Sequence, residues 1–120
     1  MSNDIRQDLK ARTKEYSLRI IKLYASLPKR AEAMILGKQL LRSGTSVGAH
    51  YREAQRAKST ADFISKIEGA SQELEESEYW LELLADSRLV DPKRLHDLRR
   101  ETSELIAIFI TIARNTKAKR

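Results

Sequence analysis

Apolar residues recur at helical spacing along nearly the whole chain, and the pattern breaks at three places. From about Asn3 to Leu27, residues Ile5, Leu9, Tyr16, Ile20, Leu23 and Leu27 share one face at steps of three, four or seven. Leu27-Pro28 ends this segment, because proline disfavours helical geometry in the residue before it and suits the first turn of the next helix. A second helix is predicted over about 29–56. A third, over about 60–87, opens with a capping box of Ser59 and Asp62. Its seam reads Phe63, Ile67, Ala70, Leu74, Ser77, Leu81 and Leu84, the alternation of four and three that suits bundle packing. The fourth, over about 92–114, starts with Asp91 as cap and Pro92 in the first turn. Its seam is Leu95, Leu98, Thr102, Leu105, Phe109 and Ile112. The basic residues of 114–120 are expected to form a frayed tail. Short connections make successive helices antiparallel neighbours. The fold class is therefore all-α, a single domain over 1–120 built as an up-down-up-down antiparallel four-helix bundle.

The second segment is the unusual one. Gly44-Thr45-Ser46-Val47-Gly48 has the composition of a loop, yet its side-chain spacing fits a helix. At 100° per residue, Leu36, Leu40, Val47, Tyr51 and Ala54 fall within about 60° of one another. On the opposite side Lys38, Arg42, Arg52 and Arg56 form a basic stripe about 80° wide. A loop would destroy both registers, so the helix is predicted to run through. Each glycine costs a helix roughly 1 kcal/mol relative to alanine and needs a compensating reason. Gly44 and Gly48, four apart on the flank of the apolar face, supply one by letting another backbone approach closely.

Some apolar residues lie outside the seams. Tyr79, Trp80 and Leu83 sit about 100° or more off the seam of the third helix, and Ile108 and Ile110 flank that of the fourth. The cluster on the third helix is read as an oligomer interface.

Composition narrows the function. The chain has no cysteine, which excludes disulfides and thiolate metal sites and fits a reducing compartment. No apolar leader opens it and no run approaches 18 apolar residues, so a cytoplasmic location away from membranes is expected. The net charge of +6 conceals a division: Asp62 to Asp86 holds eight acids and one base, net −7, which leaves +13 elsewhere. The stripe Lys38, Arg42, Arg52 and Arg56 spans about 27 Å at 1.5 Å per residue, a reach suited to successive phosphates. Lys58 extends it at one end and Lys29 and Arg30 at the other. No aromatic platform interleaves with it, so sequence-tolerant binding to an RNA or DNA backbone fits better than base stacking. The competing reading pairs these cations with the glutamates of the third helix.

Catalytic and metal chemistry finds little support. Neither His50 nor His96 follows a glutamate at the Glu-x-x-His spacing of di-iron bundles. No metal ligand set is therefore assigned, and His50 is read as a helix-boundary or interface residue. Ser43 and Ser46 lack a base and an orienting partner. Gly37, Gly44 and Gly48 match no phosphate-binding or dinucleotide fingerprint. The expectation is a non-enzyme without cofactors.

Several segments together resemble a known family. They are Arg19-Ile20-Ile21-Lys22-Leu23-Tyr24, Leu27-Pro28, Leu41-Arg42-Ser43-Gly44-Thr45-Ser46-Val47-Gly48-Ala49, Arg56-Ala57-Lys58-Ser59-Thr60-Ala61-Asp62-Phe63 and Glu78-Tyr79-Trp80-Leu81-Glu82-Leu83-Leu84. The chain looks like the 23S rRNA intervening-sequence (S23-type) proteins from about Arg12 to Ile112. His50 stands where that family usually has asparagine. The resemblance implies a bacterial four-helix bundle that assembles as a homopentamer. It also implies kinship with the accessory variability determinant of diversity-generating retroelements, a basic pentamer that binds nucleic acid and a reverse transcriptase. The reading that follows is a non-catalytic, homo-oligomeric accessory protein. It binds nucleic acid through Arg42, Arg52 and Arg56, helped by Lys38, Lys58 and the C-terminal tail, with a reverse transcriptase as the implied protein partner. The alternative is a protein-interaction scaffold whose charges serve subunit and partner docking.

Overall fold

Four helices make up nearly all of the computed structural model, which describes residues 3–120 and side chains from Asp8 onward. They are α1 (Asn3–Ala25), α2 (Ala31–Gln55), α3 (Thr60–Asp86) and α4 (Pro92–Lys119), with no strand among the described residues. Ile5, assigned to the first seam, lies outside the described side chains. Local chemistry sets most ends. α1 closes with a tight turn in which the Ser26 and Leu27 amides donate to Leu23 O and Tyr24 O. Ser59 Oγ accepts from the Asp62 amide at 3.0 Å, and Asp62 Oδ2 accepts from the Lys58 amide, one residue earlier than a strict capping box has it. α3 ends where Arg88 takes a left-handed φ of 62° and turns the chain, so that the Val90 amide reaches Leu84 O and Val90 is buried. Asp91 Oδ1 then caps α4 by accepting from the Lys93 amide.

α2 is unbroken through Gly44-Thr45-Ser46-Val47-Gly48. Its hydroxyls return to the helix itself: Thr45 Oγ1 donates to Leu41 O and Ser46 Oγ to Arg42 O, each at 2.7 Å. The glycines face α1. A Cβ on Gly44 would come within 2.7 Å of Ile20 Cγ1, and one on Gly48 within 3.4 Å of Thr13 Oγ1. Ser17 Oγ reaches Gly44 O across the same contact. The small residues thus let the two backbones approach where larger side chains would hold them apart.

Each helix packs on its neighbour in sequence, and α4 returns to α1 through sparser contacts. Registers run antiparallel, with Ser43 opposite Ser77 and Glu53 opposite Lys66 for α2 and α3, and Glu78 opposite Arg99 for α3 and α4. The core follows the predicted seams, with two shifts. Ile64 is buried where Phe63 was expected, and Ala113 where Ile112 was, while Phe63 and Ile112 are half-buried against the core. A straight helix drifts from a 3.5-residue repeat, so its neighbour takes over the buried position near an end. The buried face of α2 is also wider than expected, taking in Ala33, Gly37 and Ser43, with Leu36 half-buried. The segment from Arg114, expected to fray, is helical to Lys119. Lys117 Nζ anchors it to Glu68 at 2.6 Å, and Thr116 Oγ1 donates to Ile112 O. No described helix is long and apolar enough to cross a membrane.

Candidate nucleic-acid interface

The basic side chains predicted on α2 are all exposed, but they do not act as one stripe. Lys38, Arg52, Arg56 and, beyond the helix end, Lys58 make no ion pair among the described residues. Arg42 is held. Its guanidinium meets Glu73 at 3.2 Å and Glu76 at 2.7 Å, both on α3. Partial desolvation alone would lower the Arg42 pKa, but the two carboxylates outweigh it and raise it above the usual arginine value. The cation at the centre of the predicted stripe is therefore already neutralised by the chain. The cause is the α2–α3 register, which puts the acidic segment alongside Arg42 and could not be read from either helix alone.

Two further acids of the segment are shared in the same way. Glu78 pairs with Arg99 at 2.7 Å and Glu68 with Lys117, both across the α3–α4 seam. Among the described residues no three His, Cys, Asp or Glu side chains gather as a metal site would require.

Free positive charge collects instead at one end of the bundle. The α2–α3 connection lies there, and the Lys117–Glu68 pair brings in the last turns of α4. Residues 52–69 and 110–120 hold eight cations, namely Arg52, Arg56, Lys58, Lys66, Arg114, Lys117, Lys119 and Arg120, against Glu53, Asp62 and Glu68. All three acids are engaged, Glu53 with Lys66, Glu68 with Lys117, and Asp62 with the Lys58 amide. Arg114, Lys119 and Arg120 thus join Arg52, Arg56 and Lys58 as exposed cations outside any ion pair among the described residues. The basic composition of the tail signalled this contribution, but its placement at the same end of the bundle as the α2 cations needed the helical continuation of α4.

The apolar residues assigned to an oligomer interface fall on the other half of α3. Tyr79 is exposed, while Trp80 and Leu83 are half-buried, and the Tyr79 and Trp80 rings lie 5.2 Å apart. Trp80 also packs partly on its own core, and its Nε1 is enclosed without a partner. Sequence reading missed Ile35, which is 64% exposed. The antiparallel register places Ile35 level with Leu83, extending the apolar face from α3 onto α2. Gly44 and Gly48 occupy the α1–α2 contact described above. His50 packs on α3, its ring lying against Gly69.

This architecture matches known proteins. The family model of the 23S rRNA-intervening sequence protein matches residues 7–111. A crystal structure from Bacteroides thetaiotaomicron, of a protein of unknown function from the S23 ribosomal protein family, superimposes with a TM-score of 0.85 at 37% identity, covering 91% of this chain and 97% of that one. No curated protein matches the chain.

Proposed function

Since the chain belongs to the 23S rRNA-intervening sequence protein family, we propose that it is a non-catalytic accessory protein that binds nucleic acid through the cationic end of its bundle and works as a homo-oligomer. The observation that carries this reading is the gathering at one end of the bundle of six exposed cations outside any ion pair among the described residues, Arg52, Arg56, Lys58, Arg114, Lys119 and Arg120, with Glu53 and Glu68 there already paired to lysines. Such a surface attracts a polyanion by releasing condensed counterions, without reading bases. The family's name gives an RNA-related setting. A reverse transcriptase as protein partner rests on the likeness to retroelement accessory proteins.

Fluorescence anisotropy with labelled single-stranded RNA and DNA tests the reading. Affinity is expected to fall with salt at a log–log slope near −0.7 per phosphate contact. Arg52→Glu combined with Arg56→Glu should abolish binding to unrelated sequences alike, with helicity intact, because both side chains point into solvent. Arg42→Gln should leave binding within about twofold, because Arg42 is spent on Glu73 and Glu76. Unchanged binding in the double variant, or none by the wild type at low salt, sinks the proposal.

The alternative, an interaction scaffold, draws on the apolar face of Ile35, Tyr79, Trp80 and Leu83. Collapse of the oligomer in Arg52→Glu with Arg56→Glu would favour it, since those charges would then be serving subunit docking.

A further inference from the structure

A cleft opens at the cationic end, on the outer face of α3. Its floor holds Ser65 and Gly69, one turn apart, with Gln72 one turn further on. His50 of α2 walls one side and Lys117 and Arg120 of α4 the other, around a volume of about 640 Å³. That is in the range of small-molecule pockets.

His50 is the distinctive wall. Its Cε1 and Nδ1 edge lies against Gly69, where even a Cβ would come within 3.3 Å of both atoms. Nδ1 is enclosed there with no hydrogen-bond partner. A bare buried lone pair is cheaper than a bare buried N–H, so the ring proton belongs on Nε2. The ring itself lines the cleft beside Gly69. Gln72 adds a side-chain amide, which both donates and accepts, and Ser65 a hydroxyl; both residues are exposed. Lys117 and Arg120 supply charge at the rim, where Lys117 meets a single exposed carboxylate, Glu68, which also lines the cleft, whereas Arg42 is held by two carboxylates, one of them largely buried.

We infer that this cleft seats one nucleotide unit of a bound strand, its phosphate against Lys117 and Arg120 and its base against Gln72, Ser65 and the His50 ring. The inference deepens the nucleic-acid reading and rests on it. It adds a defined subsite to a surface otherwise suited only to diffuse phosphate contact.

NMR titration of the full chain with adenosine 5′-monophosphate is the test. The His50 ring and Gly69 amide signals should shift and saturate together. Adenosine, and inorganic phosphate, should each bind at least tenfold more weakly than the nucleotide. Ser65→Leu fills the cleft from an exposed position without changing charge, and should weaken the nucleotide at least tenfold. The same variant should lower the salt slope of strand binding by no more than about 0.7, one phosphate contact. Lys93→Gln, exposed at the opposite end of the bundle, should leave nucleotide affinity unchanged. Equal affinity for inorganic phosphate overturns the assignment, as does equal affinity for adenosine. Strand binding without nucleotide shifts at His50 also overturns it, while leaving the proposed function standing. Saturable nucleotide shifts without strand binding overturn the assignment to a bound strand together with the broader reading, and leave a site for the free nucleotide.

Discussion

The Tyr16 phenol lies in a buried polar layer to which every helix contributes one residue. Thr102 gives its own hydroxyl proton to Leu98 O, so Tyr16 is the donor in their 2.8 Å contact. Ser77 gives its proton to Glu73 O at 2.9 Å, a closer acceptor than Leu40 O at 3.4 Å from Ser43, so Ser43 is the donor in the 2.7 Å contact between them. Burial pushes the Tyr16 pKa up to about 12, with the nearby Thr102 and Ser77 hydroxyls pulling the other way. The unfolded value is about 10. A folded pKa raised above the unfolded one gives stability that is complete below pH 10 and lost as pH rises through 12. The loss is on the order of 2–3 kcal/mol. Urea unfolding at pH 8 and pH 11.5 should show it, and Tyr16→Phe should flatten this part of the difference. An equal alkaline loss in Tyr16→Phe would assign it to other groups. Ser77 and Thr102 were legible as seam positions from their spacing. Their partners were not, because a hydroxyl in a seam does not say which helix faces it.

At the scale of the element, the α1–α2 contact is decided by glycines. Gly44→Ala gains helix propensity of about 1 kcal/mol, but its Cβ would meet Ile20 Cγ1 at 2.7 Å and Cγ2 at 3.0 Å. Ile20 is fully buried and branched at Cβ, so it yields poorly. A net destabilisation of about 1–3 kcal/mol is expected from overpacking. Gly48→Ala meets only ordinary contact at 3.4 Å and should be neutral or stabilising by up to about 1 kcal/mol. Chemical denaturation of the two variants separates the cases, and equal effects would refute the packing account. The continuity of α2 was legible because apolar and basic registers both crossed the glycine-rich stretch. The helical end of α4 was not, since Lys117 is fixed by Glu68, a residue 49 positions away.

Over the whole molecule, the two ends of α3 differ in kind. The half near its start lies within the cationic end, whereas Tyr79, Trp80 and Leu83 near its finish form an apolar face continued by Ile35 of α2. An apolar face that a single bundle leaves wet suits a symmetric contact with further copies. Trp80→Ala should weaken assembly tenfold or more by light scattering across a dilution series, equivalent to about 1.4 kcal/mol. Because Trp80 also touches its own core, Tyr79→Ser is the companion variant. Tyr79 is 52% exposed, so its loss should weaken assembly without lowering the stability of the bundle. A monomer mass for the wild type at micromolar concentration would remove the oligomer from the proposal.

The sequence by itself determined the four helices, their order and most of the faces they bury, because helical periodicity, caps and proline act within a few residues. It also showed that acids gather in one segment and cations elsewhere. Only the tertiary structure decided which charges remain free. Arg42 and Arg52 look alike on the helix, yet Arg42 pairs with Glu73 and Glu76 while Arg52 makes no ion pair among the described residues. The same holds for His50, ordinary in the sequence but set against Gly69 with Nδ1 enclosed. The physical reason is common to both: a side chain's pairing depends on the register between helices, which the summed packing of the whole core fixes and no local pattern records.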